Sequence, residues 1–89
     1  MKQKFKAFSF VRVCDEMPQH MVHFDKGFDA VVRGTYSQIY GGKDIDSYSL
    51  FKIRNGKIIA TISWYDEDQL TQIDNAGDPQ EMVEDYHLR

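Results

Sequence analysis

Apolar and polar positions alternate most clearly between residues 47 and 73, SYSLFKIRNGKIIATISWYDEDQLTQI, where two strand-like runs meet at Asn55-Gly56. Asn-Gly suits a two-residue type I′ turn, because both central residues of that turn need φ > 0. The turn sets a register of Arg54 opposite Lys57, then Ile53 with Ile58, Phe51 with Ala60 and Ser49 with Ile62. A slip of one residue would carry that apolar set to the other face. Phe51, Ile53, Ile58 and Ala60 are thus expected to point inward together. Trp64 continues the series Ile58, Ala60, Ile62 at period two, which places its ring against the core and leaves Tyr65, beside Asp66, Glu67 and Asp68, facing outward.

The remaining chain divides by the same criteria. Phe5 to Cys14 (FKAFSFVRVC) is rich in β-branched and aromatic residues and reads as a first strand. Its apolar phase changes from Phe8 and Phe10 to Val11 and Val13, which calls for a bulge or bend. Asp15 to Lys26 reads as a long loop from which Met17, Met21, Val22 and Phe24 fold back as a lid. Phe28 to Ser37 alternates as a second strand, with Gly34 marking a kink or a close backbone approach. Tyr40-Gly41-Gly42-Lys43-Asp44 is a turn by composition. In the third strand the phase changes again, from Tyr48 and Leu50 to Phe51 and Ile53, so both faces of the sheet are expected to be partly buried. Asp66 to Gln69 fits one 3₁₀ turn before a short last strand, Leu70 to Ile73. Asp78-Pro79-Gln80-Glu81 then has an acid at the N-cap, Pro at N1 and Glu at N3, opening a helix whose Met82, Val83 and Tyr86 share a face. Such a short helix is marginal in water and must dock on the strands or on a partner.

Composition narrows the class. The 89 residues are 42% hydrophobic and 28% charged with 13% aromatic, which suits one folded domain near the lower size limit for an unaided core. Cys14 is the single cysteine, so no internal disulfide is available and a reducing, cytoplasmic setting is expected. The first twenty residues hold Lys2, Lys4 and Lys6 but no long apolar run, and neither secretion nor membrane insertion is expected. The net charge of −3 is unevenly spread: Lys2, Lys4, Lys6 and Arg12 precede any acid, whereas Asp66, Glu67, Asp68, Asp74, Asp78, Glu81, Glu84 and Asp85 face only Arg89 at the other end. That asymmetry either steers a basic partner or keeps a small protein soluble.

Five short strands, a glycine-marked turn after a long first loop, an Asn-Gly hairpin and the W-Y-x-E-x-x-L stretch from Trp64 to Leu70 together resemble an SH3-like small barrel. The resemblance implies a mostly β fold, a five-stranded barrel over residues 5–73 with a short C-terminal helix over 78–88, all within a single domain, 1–89. It also implies the 3₁₀ turn between the last two strands. The Tyr-Gly-Gly turn and the Trp-Tyr-acidic-Gln-Leu ending are similar to those of short uncharacterised bacterial and phage proteins, which bring no activity with them. Proline-rich peptide recognition is not implied, because no Pro-x-x-Tyr occurs and Trp64 stands late in its strand.

Candidate chemistry is sparse. Cys14, His20 and His23 could supply three soft ligands if their loop curled back, but Cys-x5-His-x2-His is not a zinc pattern, and no metal or other cofactor is expected. Asp15 or Glu16 could orient one of these histidines for acid–base work, though neighbours in sequence need not meet. Neither a nucleophile motif nor a phosphate-cradling loop is present, so catalysis is not expected. Lys52, Arg54 and Lys57, read on one face with Tyr48 and Tyr65, would suit single-stranded nucleic acid, against which the net acidity weighs. The leading expectation is a non-catalytic protein-binding or regulatory module using Tyr36, Tyr40, Tyr48 and Tyr65 with Asp66, Glu67 and Asp68. Homodimer formation through a strand edge is a further form of the same class.

Overall fold

A computed structural model describes residues 4–41, 47–75 and 77–88. Strands β1 (Phe10–Val13), β2 (Asp29–Thr35), β3 (Tyr48–Arg54), β4 (Lys57–Tyr65) and β5 (Leu70–Gln72) form one antiparallel sheet in the order β4-β3-β2-β1-β5. Helix α1 (Tyr36–Tyr40) follows β2, and α2 (Pro79–His87) ends the described chain. The fold is mostly β with a short C-terminal helix, as expected. The sheet is open: β4 and β5 lie at its two edges, and closure into a barrel would require them to pair. No helix among the described residues is long and apolar enough to cross a membrane.

Both faces of the sheet are covered, because β2 and β3 carry apolar residues at successive positions. On one face Val11, Val13, Ala30, Val32, Tyr48, Leu50, Tyr65 and Leu70 are buried with Phe5 and Met21. On the other, Val31, Phe51, Ile53 and Ile58 form a second cluster beneath Phe10 and the Met82, Val83 and Tyr86 side chains of α2. The helix therefore docks on the sheet. It starts where the sequence places it, with the Asp78 carboxylate accepting a hydrogen bond from Gln80 N at 2.9 Å and Pro79 at N1.

The loop after β1 is a lid in fact. A 3₁₀ turn, Gln19–Met21, buries Met21, while Met17 and Phe24 pack on the first cluster. Val22 is the exception, since it points to solvent rather than folding back. Phe8 has φ 66 and supplies the expected bend, so the strand proper begins at Phe10 instead of Phe5. Gly34 is likewise a break, with φ 153 and a register shift between Val32 and Gly34.

The hairpin turn forms as expected, with Asn55 at φ 54 and Gly56 at φ 76, Arg54 opposite Lys57 and Ile53 opposite Ile58. Beyond that point the expected register fails. Lys52 pairs with Ala60, Phe51 with Thr61 and Leu50 with Ile62, so Ile59 is an extra residue in β4. Ala60 thereby shares a face with Lys52 and Leu50, away from Phe51, Ile53 and Ile58. Sequence alternation cannot reveal such a bulge when the residues around it, Ile58-Ile59-Ala60, are all apolar.

The second strand also ends earlier than its pattern suggests. Residues 36 and 37 belong to α1, because Thr35 and Gln38 make a reciprocal capping box: Gln38 N donates to Thr35 Oγ1 at 3.3 Å, and Thr35 N donates to Gln38 Oε1 at 3.0 Å. Of the glycine turn expected at Tyr40 to Asp44, residues 42–44 lie outside the described residues.

Candidate functional site

The one-turn helix α1 puts Tyr36 and Tyr40 on the same side, four residues apart, with ring centroids 5.1 Å from each other. Gly41 at φ 79 ends it, donating from its N–H to Ser37 O at 3.0 Å. The third ring arrives from β4. Leu50 pairs with Ile62 and Tyr48 with Tyr65, leaving Ser63 and Trp64 opposite Ser49 alone. This second bulge gives Trp64 φ 81 and turns its indole across β3 onto Tyr36, at 4.9 Å between centroids and 34° between planes. Gly34 pairs with Ser49, and Ser49 Oγ lies 3.1 Å from Ser63 Oγ; the space beside Gly34 is filled by Gln38 and Ile39 of α1.

The result is a stack of Tyr40, Tyr36 and Trp64. Tyr40 remains 61% exposed and Trp64 47%. Ring pairs at such spacing contribute about 0.5–1.5 kcal/mol beyond their buried area, enough to order the stack but not to hide it from water. Its chemistry is that of contact: apolar ring faces, two phenolic hydroxyls and one indole N–H.

Tyr48 and Tyr65, expected on the surface, are in the core. Tyr48 Oη accepts hydrogen bonds from Lys4 N at 3.0 Å and Phe5 N at 3.2 Å, tying down the N-terminal segment. Tyr65 is fully buried, lies edge-on to Phe24 and Phe28 at 5.4 and 5.9 Å, and donates to Asp25 O at 2.9 Å. Burial pushes the Tyr65 phenol up to about 12, with the Asp25 carboxylate adding to the shift. Trp64 and Tyr65 have thus exchanged the positions that alternation assigned them. Two bulges, at Ile59 and at Ser63–Trp64, lie between the turn and this end and together restore the phase, so Tyr65 comes out on the face opposite Ile58. It is buried because that face carries the first cluster, while the second bulge turns Trp64 aside.

Asp66, Glu67 and Asp68 run into the expected 3₁₀ turn, Glu67–Gln69, closed by Asp66 N donating to Gln69 Oε1 at 2.9 Å. Lys52 is held by Asp25 at 2.9 Å and sits 5.0 Å from the Phe28 ring centre, while Arg54 and Lys57 flank the turn in solvent. The structure therefore separates these cations from the tyrosines expected to stack beside them, because Tyr48 and Tyr65 are core residues. Cys14 Sγ donates to Glu16 O at 2.7 Å, His20 and His23 are exposed on the lid, and among the described residues no group of His, Cys, Asp or Glu converges to hold a metal ion.

The sequence groups Tyr36 with Tyr40 as surface anchors and admits Trp64 beside them only if it is not core, the place its period assigns it; the structure lays its indole on Tyr36. The Thr35-x-x-Gln38 box was a usable signal for α1; nothing in the residue types of Ser63-Trp64 announces a positive φ. Comparison with family models, with curated proteins and with solved structures returns no match.

Proposed function

We propose that this chain is a non-catalytic protein-binding module, built as an SH3-like small barrel, that engages its partner through Tyr36, Tyr40 and Trp64. The observation that carries the reading is the exposed stack of three rings. Large aromatic side chains held in one geometry lose little entropy on binding and dominate contact energetics. The fitting partner is a protein that lays an apolar side chain on the rings and offers carbonyl oxygens to the hydroxyls and the indole N–H. The barrel part of the reading draws support from the strand order, with β1 between β2 and β5, and from the 3₁₀ turn joining β4 to β5.

The nucleic-acid alternative at Lys52, Arg54 and Lys57 has weaker support, since Lys52 is engaged by Asp25 and no ring stack accompanies the other two. The test is affinity capture from native lysate with wild type beside Trp64→Ala and Tyr40→Ala, folding being checked by circular dichroism. A partner retained by wild type and lost by both variants supports the proposal. Equal capture by all three overturns it.

A further inference from the structure

We infer that the outer edge of β4 is a self-association surface, on which a second copy of this chain lays its own β4 antiparallel, with Thr61 at the two-fold axis. Among the described residues β4 is the longest strand, nine residues, and it lies at the sheet edge, hydrogen-bonded to β3 on one side, with α2 packed against it at the cluster that holds Ile58. Ile58 to Tyr65 carry no charge, whereas exposed edges are ordinarily blunted by charged residues.

The hydrogen-bonding phase of this edge can be followed across the sheet. Val32 donates to Ser9 O and accepts from Phe8 N, both at 2.8 Å, so its amides face β1 and those of Val31 face β3. Val31 pairs with Phe51, whose amides therefore face back toward β2, and those of Leu50 and Lys52 face β4. Their partners Ile62 and Ala60 face β3 in return, which turns the N–H and C=O of Thr61 outward at the free edge. A symmetric antiparallel pair needs one residue that meets its own copy, and Thr61 is the central outward residue of the regular stretch between the two bulges.

Charge selects the second copy and the direction. Antiparallel pairing about Thr61 lays the turn end of each β4 along the far end of the other, so Arg54 and Lys57 of each copy approach Glu67 and Asp68 of the other, twice by symmetry. Parallel pairing would set like charges together. Arg54, Lys57 and Asp68 are exposed, and among the described residues none of them takes part in an ion pair. Because the bulges leave only a short regular ladder, the charged flanks contribute much of the affinity, and the dimer is salt-sensitive. The Trp64 ring lies on Tyr36, on the β3 side of β4, so this surface and the aromatic stack are tested separately.

Sedimentation velocity across a wide concentration range, at low and high salt, tests the inference on wild type, Arg54→Glu/Lys57→Glu and Glu67→Lys/Asp68→Lys. Wild type should dimerise, more weakly in high salt. Each reversed variant should dissociate about tenfold more readily. An equimolar mixture of the two variants should re-associate, because their exchanged charges again complement one another. A wild type that stays monomeric throughout, a dimer indifferent to charge reversal, or folded variants that fail to combine would each overturn it.

Discussion

At its turn end the β3–β4 hairpin obeys the alternation of its sequence, with Ile53 facing Ile58 and both buried. At its far end Trp64 and Tyr65 occupy each other's expected places, the indole in solvent and the phenol in the core. The two ends share one strand and one composition, and they differ in whether a bulge lies between the residue and the turn that sets its phase. Near Asn55-Gly56 nothing intervenes. By Trp64 the strand has absorbed Ile59 as an unpaired residue and has set Ser63 and Trp64 against Ser49 alone. Period two is a local rule, valid between interruptions of the ladder. Aromatic residues make the consequence large, because each buries or exposes more surface than any aliphatic neighbour.

The sharpest way to break this comparison is to truncate both aromatics. Tyr65→Ala removes a ring wedged against Phe24 and Phe28, and the expected loss is about 3–5 kcal/mol in urea unfolding. Trp64→Ala should cost less, because its ring is half exposed and the lost ring pair is worth about 0.5–1.5 kcal/mol beyond its buried area. Equal losses would mean that the inward and outward assignments are wrong.

Tyr65→Phe sharpens the same point by keeping the ring and removing the hydroxyl. The Asp25 carbonyl then loses its donor, at an expected cost of about 1–2 kcal/mol. The variant also isolates a pH effect. The Tyr65 phenol moves from 10.0 to about 12 in the fold, so the folded state holds its proton more tightly than the unfolded chain. Its contribution is complete below the unfolded value and is lost as pH rises through the window between the two. Wild type should therefore lose stability faster than Tyr65→Phe over that alkaline range, and parallel curves would remove Tyr65 as the cause.

What was legible in the sequence is what short-range chemistry dictates. Asn55-Gly56 forms its turn because few residues tolerate two positive φ values, Asp78-Pro79 opens α2 because a carboxylate and a missing N–H suit a helix start, and Asp66 to Gln69 makes its 3₁₀ turn. Burial of both sheet faces was legible too, from the phase change in β3. The site was half legible. Tyr36 and Tyr40 reached the surface, but through a capped helix that the strand alternation of Ala30, Val32, Gly34 and Tyr36 concealed. Tyr48 and Tyr65 were misplaced because each hydroxyl finds backbone partners inside, Lys4 and Phe5 for one and Asp25 for the other. Those partners lie some forty residues away in sequence, beyond the reach of any local pattern.

The Trp64 backbone supplies a smaller but more specific test, because it concerns the bulge itself rather than the ring. In an ordinary strand Gly is worse than Ala by roughly 0.5–1 kcal/mol, since it gives up more backbone freedom on folding. At φ 81 a Cβ atom is strained, by about 1–2 kcal/mol for a fully left-handed residue. Trp64→Gly and Trp64→Ala lose the same stack, so their difference reads the backbone alone. The ordinary order should vanish or reverse, with the glycine variant as stable as the alanine one or more stable, by up to about 1 kcal/mol. At Thr61, in the regular part of the same strand, Thr61→Gly should remain the less stable of its pair with Thr61→Ala. Chemical denaturation of the four variants checks both halves, and the ordinary order at both positions would mean that β4 runs through Trp64 without a bulge.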